Sequence, residues 1–424
     1  MKIKWISQQI LIFSSLFATV VSCASIPNQF SSVAVEATKE YSVPTETPLS
    51  ASATVPATLI PTETIERSID QSTPTITPTV TPNPYITPTT YFNSIYPPDY
   101  NPLTGQSAVY PENLLRSPLM VKISNYPREI RPQAGLSKAD IVFEYYIGAF
   151  MNRFLAVFYG ENSEWAGPIR SGRLIDGQLA MNYHSALVYG GADARVNEVL
   201  KNPDVLGDKA IDTRVYSKCP PLCGTETHSL DGLYVNTAGM SEDLFNSGYD
   251  TQLRALALET LQFSEIFPQE GAIEDVNEIE IIISDLCKSK WVYDENKLRY
   301  FRWEEEGDGL DTYVQSIDLM SPDSQISVEN VILLFADYVV YDTLFHDIRI
   351  HYADGEMPAM FFRDGEMISG YWSGLVKDEP LHFMMENRIE YTLAPGKSWI
   401  VFVTEDSVLQ QITSGVWRLE FATP

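Results

Sequence analysis

The chain has 424 residues, of which 44% are hydrophobic and 12% aromatic, enough to bury the cores of two or three domains. With 29 Lys+Arg against 56 Asp+Glu, its formal net charge is −27. Such a body repels phosphate and anionic lipid head groups, so no nucleic-acid partner is expected and any membrane attachment requires an anchor.

Residues 1–22 read as a signal segment. Lys2 and Lys4 form a positive n-region, and residues 10–21 form an apolar run too short to span a bilayer comfortably. The run ends on Val20-Val21-Ser22-Cys23, which resembles the lipobox of bacterial lipoproteins. That resemblance implies cleavage before Cys23, a diacylglyceryl group on its thiol and an acylated (palmitate-type) N-terminus. The other reading is an ordinary signal peptide that happens to contain Cys23. No later run is long and apolar enough to predict a transmembrane helix.

Residues 23–95 read as a disordered tether. Within residues 43–90, fourteen of 48 are Thr and nine are Pro, including the near-repeat Thr73-Pro74-Thr75-Ile76-Thr77-Pro78. Pro fixes φ and removes donors, and too few large apolar residues are present to offset the ordering entropy. At about 3.1 Å per residue, an extended stalk of this length reaches on the order of 150 Å. Residues 1–90 hold four basic and six acidic residues, so the rest keeps 25 basic against 50 acidic, net −25.

The head, residues 96–424, reads as α+β: a mixed α/β N-terminal domain (96–265) followed by a mostly β C-terminal domain (266–424). Runs at 119–123, 140–147 and 154–159 predict strands. Leu174, Ile175, Leu179 and Met181 have helical spacing; 186–189 is a buried strand ending at Gly190-Gly191; Asp193 caps a helix to about Leu200; and 253–261 predicts another helix. In the second half, 279–283 is a strand, 290–293 and 298–303 make one hairpin, 359–363 and 367–372 make another, 328–340 is long and β-rich, and 398–403 is a late strand.

Several motifs carry a family resemblance: Asn101-Pro102-Leu103-Thr104-Gly105, Arg131-Pro132-Gln133-Ala134-Gly135, Arg153-Phe154-Leu155-Ala156-Val157-Phe158, Gly167-Pro168-Ile169-Arg170-Ser171-Gly172-Arg173, His228-Ser229-Leu230, and in the second half Phe362-Arg363-Asp364-Gly365 and Leu393-Ala394-Pro395-Gly396-Lys397-Ser398-Trp399-Ile400. Their order resembles the YerB-like family of bacterial lipoproteins, whose two domains have no assigned function. The resemblance implies a two-domain extracytoplasmic lipoprotein and no established reaction.

Arg170-Ser171-Gly172-Arg173 is the densest polar constellation. Two guanidinium forks three residues apart can clasp a carboxylate or phosphate. Alternatively they pair internally with Glu144, Asp140 or Asp176. The candidate ligand-binding set is Arg170, Ser171 and Arg173, with Glu144, Arg153, Asp193 and His228. Ser171 with His228 or His184 would make a nucleophile and base, but no Gly-x-Ser-x-Gly elbow surrounds it. Outside the cytoplasm Cys219 and Cys223 favour a local disulfide; with His228 they also have the types of a partial metal site, for which no fourth ligand is visible. Cys287 reads as a buried free thiol. The His346 and His351 pair suits no metal, and Glu304-Glu305-Glu306 reads as a solvated hairpin end. No metal, cofactor or catalytic residue is assigned. The predicted function is a non-catalytic binding or scaffolding module on the outer face of the cell membrane, with cell-wall polymer or envelope proteins as partners. An envelope enzyme acting on wall polymer or glycan, through Ser171, Glu144, Asp193 or His228, and a solute-binding lipoprotein are the alternatives.

Overall fold

A computed structural model describes residues 96–424, except 225–231, 249–257, 270, 272, 308, 343–344 and 352–354. The signal segment, Cys23, the Thr/Pro-rich tether and His228 lie outside the described residues. What is described is mostly β, with three α-helices, all in the first half.

The strands that build the two large sheets are β1 Leu119–Ser124, β2 Ile141–Gly148, β3 Met151–Phe158, β4 Ala186–Tyr189, β5 Ala210–Asp212, β6 Ile273–Asp275, β7 Glu278–Ser284, β8 Cys287–Asp294, β9 Arg299–Glu305, β10 Tyr313–Gln315, β11 Asn330–Ala336, β12 Met357–Arg363, β13 Glu366–Ser373, β14 His382–Met385, β15 Ser398–Thr404, β16 Val408–Thr413 and β17 Val416–Glu420. The helices are α1 Leu174–Asn182, α2 Ala194–Leu200 and α3 Thr237–Asn246.

One eleven-stranded sheet runs through both halves in the order β6-β13-β12-β11-β15-β2-β3-β1-β4-β5, with β14 also on β13. The seam between the halves is β15 against β2, a parallel pair matching Ser398 to Ile141 and Phe402 to Tyr145. Both strands are buried along their whole length and read as near-continuous apolar runs, as strands covered on two faces do. The two halves that the sequence separates therefore share one core layer. β11, β15, β2, β1, β4 and β5 run in one direction, and β3 opposes its neighbours β2 and β1. The second sheet, β10-β9-β8-β7-β17-β16, belongs to the second half and also pairs the two-residue strand Ser327–Val328 with β9.

Side-chain alternation assigns the faces of the large sheet. Phe143, Tyr145, Leu155 and Leu187 pack with Ile175, Leu179 and Tyr183 of the α1 segment in one cluster. Val142, Phe154, Ala156 and Trp399 pack with Trp291, Tyr300 and Leu419 of the second sheet in the other. Trp399 lies 5.1 Å from both Trp291 and Phe154, centroid to centroid.

The second interface holds a polar knot that local composition does not announce. Glu304 and Glu305, predicted to lie in a solvated hairpin end, are 5% and 2% exposed. Glu305 Oε1 accepts from Arg128 Nη2 at 2.9 Å and from Arg131 Nη2 at 3.0 Å; Glu304 Oε2 accepts from Arg302 Nη1 at 3.0 Å. The partners of Glu305 come from more than 170 residues upstream, so a hydrophilic run becomes a clamp between distant segments. Arg131, from the Arg-Pro-Gln motif, is thereby a clamp residue.

The helix expected at 253–261 falls largely outside the described residues, and Thr260 lies in a turn. α3 is instead set by Asn236, whose side chain accepts from Gly239 N at 2.8 Å and caps the first turn.

α1 is held to the strand Phe345–Ile348 by Gln178, which donates to Asp347 Oδ1 at 3.0 Å and accepts from Ile350 N and His351 N. Burial pushes the Asp347 carboxyl up to about 6, above its unfolded value, so ionising it costs stability as pH rises through that window. Asp347→Asn is expected to raise stability at pH 8 by at most about 3 kcal/mol and to change little at pH 3.5, read from urea midpoints at the two pH values.

Candidate functional site

Residues 169–173 cross the carboxyl ends of β1 and β4. Ile169 bridges Ile123, Arg170 N donates to Lys122 O at 2.9 Å, Gly190 N donates to Arg170 O at 2.8 Å, and Gly172 N donates to Gly191 O at 2.8 Å. The segment is threaded tightly: a Cβ on Gly172 would sit 3.0 Å from the Tyr189 ring. In open sheets with parallel strands, the crevice beyond the carboxyl ends is where ligands bind.

Three guanidinium groups gather there. Arg170 and Arg173 come from the crossing segment. Arg153 comes from the start of β3, paired across the sheet with both Ser124 and Tyr145, and its Nη1 donates to Ser171 O at 2.9 Å. Arg173 stands at the N-terminal end of α1; its Nη1 donates to Gly172 O at 3.0 Å, and its buried Nε has no hydrogen-bond partner among the described residues. All three arginines and Ser171 are half-buried. Burial pulls the Arg153 pKa well down, and the neighbouring charges of Arg173 and Arg170 pull it further. Burial also lowers Arg170 and Arg173, the latter partly offset by Asp193. Like charges converge on a partly desolvated spot of an acidic body.

Beneath them lies a fully buried triad. Lys122 Nζ contacts both Tyr145 Oη, to which it donates, and Asp176 Oδ1 at 3.2 Å, and the Tyr145 hydroxyl donates to Asp176 Oδ1. Asp176 Oδ2 also accepts from Arg173 N at 2.7 Å, fixing the entry into α1. Burial drives Lys122 down and Asp176 up, both toward their neutral forms, while each opposes the shift of the other. Arg153 and Arg173 add to the depression of Lys122. Lys122 belongs to no motif of the sequence. Its period-2 placement beside Met120, on an otherwise apolar strand, is the signal that marks it as interior.

Glu144 is 1% exposed and lies on the opposite face of the sheet from Arg153, accepting from Trp399 Nε1 at 2.8 Å and from Asn152 Nδ2. It is part of the sheet-to-sheet interface and not of the arginine cluster, because alternation along β2 sends it away from Tyr145. Asp140 accepts from Tyr159 N at 2.7 Å and Asn101 Nδ2 at 2.6 Å. Asp193 caps α2, accepting from Arg195 N at 2.9 Å and Arg195 Nε at 3.0 Å. Those bonds hold its carboxyl down at about 2, so it stays ionised beside Arg173. Ser171 precedes α1 and His184 follows it, so roughly 13 Å of helix separates that nucleophile–base pair.

Cys219 and Cys223 form a disulfide with Cα atoms 5.0 Å apart, and Cys287 is a buried thiol pushed up to about 12 by burial. Among the described residues, no group of three or more His, Cys, Asp and Glu is arranged to hold a metal ion, and no helix is long and apolar enough to cross a membrane.

The fold and site define a class: a sheet shared by two sequence domains, with a cationic crossing segment at its carboxyl edge. Residues 103–249 match the N-terminal domain, and residues 279–400 the C-terminal domain, of the family described as protein of unknown function (DUF3048). The chain belongs to this family. It is 42% identical over 76 residues to a Bacillus subtilis (strain 168) protein named "Putative lipoprotein YerB"; the match covers 18% of this chain and 23% of that protein's length. The crystal structure of the YerB protein from Bacillus subtilis shares the fold, with a TM-score of 0.57 at 20% identity, covering 72% of this chain and 96% of that one.

Proposed function

We propose that the protein is a lipoprotein held at the extracytoplasmic face of the cell membrane through Cys23, with a head that binds an anionic ligand, in cell-wall polymer or on an envelope protein, at Arg153, Arg170 and Arg173. The anchor reading is supported by the signal-like segment ending on Val20-Val21-Ser22-Cys23 and by the name of the Bacillus relative. The binding reading rests above all on one observation. Three half-buried guanidiniums from two separate chain segments converge at the carboxyl edge of the sheet, where burial and mutual repulsion disfavour them. A carboxylate or phosphate placed among them relieves that repulsion and accepts bidentate, charge-assisted hydrogen bonds. Among the described residues His184 is set a helix length from Ser171, while His228 lies outside them; binding at the arginine cluster is the reading adopted.

The test is calorimetry of the full chain in detergent with pyrophosphate, citrate and a muramyl peptide. At least one is expected to bind, and Arg170→Ala with Arg173→Ala is expected to weaken it by at least about tenfold, the scale of one lost charge-assisted bond. If no anion binds, or the double variant binds as well as the wild type, the binding reading is wrong.

A further inference from the structure

Along the crossing segment one residue keeps its donors unused. Arg170 N donates to Lys122 O at 2.9 Å, Gly172 N to Gly191 O at 2.8 Å and Arg173 N to Asp176 Oδ2 at 2.7 Å. Between them, Ser171 N and Ser171 Oγ have no acceptor among the described residues. The chain is not free to shift and find one. Ser171 O accepts from Arg153 Nη1 at 2.9 Å, and the amides on either side are pinned to the ends of β1 and β4. Ser171 is only half-buried, so both donors lie where a ligand can meet them. The arginines beside it are in a similar state. Among the described residues, Arg153 and Arg173 use only Nη1, on the main-chain carbonyls of Ser171 and Gly172, which leaves Nε and Nη2 of each. Unpaired donors gathered on a fixed segment call for oxygens.

Building on the reading that the arginines bind an anion, we infer that the anionic group is a phosphate dianion, with Ser171 as the residue that distinguishes it from a carboxylate. The choice follows from the acceptors each group offers. A carboxylate carries one charge and two oxygens, with about four lone-pair sites in one plane. Two bidentate forks, from Arg153 and Arg173, fill those sites, and the Ser171 donors stay unpaired. A terminal phosphate carries a charge of about −1.5 to −2 at pH 7 and three oxygens set tetrahedrally. It takes the same two forks and still has an oxygen out of their plane for the Ser171 amide and hydroxyl. Its second charge also balances better the three guanidiniums that repel one another here. A phosphodiester inside a polymer keeps two free oxygens and one charge, so it ranks with the carboxylate. The shared chemistry is therefore that of inorganic phosphate or a phosphomonoester.

The experiment is calorimetry of the full chain in detergent at pH 7.5, with phenyl phosphate against benzoate. Phenyl phosphate is expected to bind at least about tenfold more tightly, the scale of one charge-assisted hydrogen bond. Ser171→Ala is expected to weaken phenyl phosphate by about tenfold, to leave benzoate as it was, and to keep the urea midpoint, since the hydroxyl bonds nothing in the free protein. Inorganic phosphate and dibutyryl phosphatidic acid are titrated alongside. The tightest of the three phosphates, provided that Arg170→Ala with Arg173→Ala weakens it, identifies the source as a soluble ester, free phosphate or a lipid headgroup. Benzoate binding as tightly as every phosphate overturns the inference and leaves anion binding at the arginines standing. So does a Ser171→Ala loss shared equally by phosphate and benzoate, no loss in either, or a phosphate that the arginine double variant binds as well as the wild type. If no anion binds at all, the reading of the cluster as an anion receptor fails, and this inference fails with it.

Discussion

Arg153→Met is expected to stabilise the head while abolishing anion binding. In the folded state Arg153 is partly desolvated and sits beside two like charges, and its one specific bond among the described residues is to the Ser171 carbonyl at 2.9 Å. Losing that bond forfeits about 1 kcal/mol, whereas removing a buried charge that repels its neighbours returns more. The net gain expected is about 1–2 kcal/mol in urea unfolding, together with loss of measurable binding of whichever anion the wild type takes. The sign is diagnostic. An arginine kept for architecture would destabilise when replaced, so a fall in stability with binding retained would show that Arg153 is a scaffold residue and that the ligand lies elsewhere.

Lys122→Met should act in the opposite direction. It leaves the Asp176 carboxylate fully buried with its cation gone, keeping only the Tyr145 hydroxyl and Arg173 N. Removing one partner of a buried ion pair typically costs about 3–5 kcal/mol, among the largest single-site effects available in this head. Adding Asp176→Leu is expected to recover most of that loss, since two apolar side chains of similar volume pack where a charge pair was. About 1 kcal/mol should stay lost, because Asp176 also secures the first turn of α1 through Arg173 N. The rescued double variant should bind the anion more weakly, as Arg173 loses its main-chain anchor. Urea midpoints for the two singles and the double close the cycle; additive losses would mean that Lys122 and Asp176 do not function as a pair.

Local rules carried the elements whose causes are local. The hairpin β8–β9 turns through Asp294-Glu295-Asn296-Lys297 and β12–β13 through Asp364-Gly365, and both are readable because turn residues sit between apolar alternations. α1 and α2 follow from helical spacing and from the Asp193 cap. α3 carried a cap signal in Asn236 that its mixed composition obscured. The burial of Glu304 and Glu305 had no local signal, since charge reads as solvated until Arg128 and Arg131 arrive from the far side of the chain.

The site divides in the same way. Arg170 and Arg173 stand out in one short run. Arg153 joins them only because β3 is inserted antiparallel between β2 and β1, and Glu144 leaves them because alternation turns it to the other face. Residue order alone therefore determined the signal-like start, the Thr/Pro-rich stretch, the acidity and the family, since each is a property of composition or of a contiguous motif. The tertiary structure decided which charges meet, which are sealed away and that both halves share one sheet, because those outcomes depend on strand order and register between segments far apart in the chain.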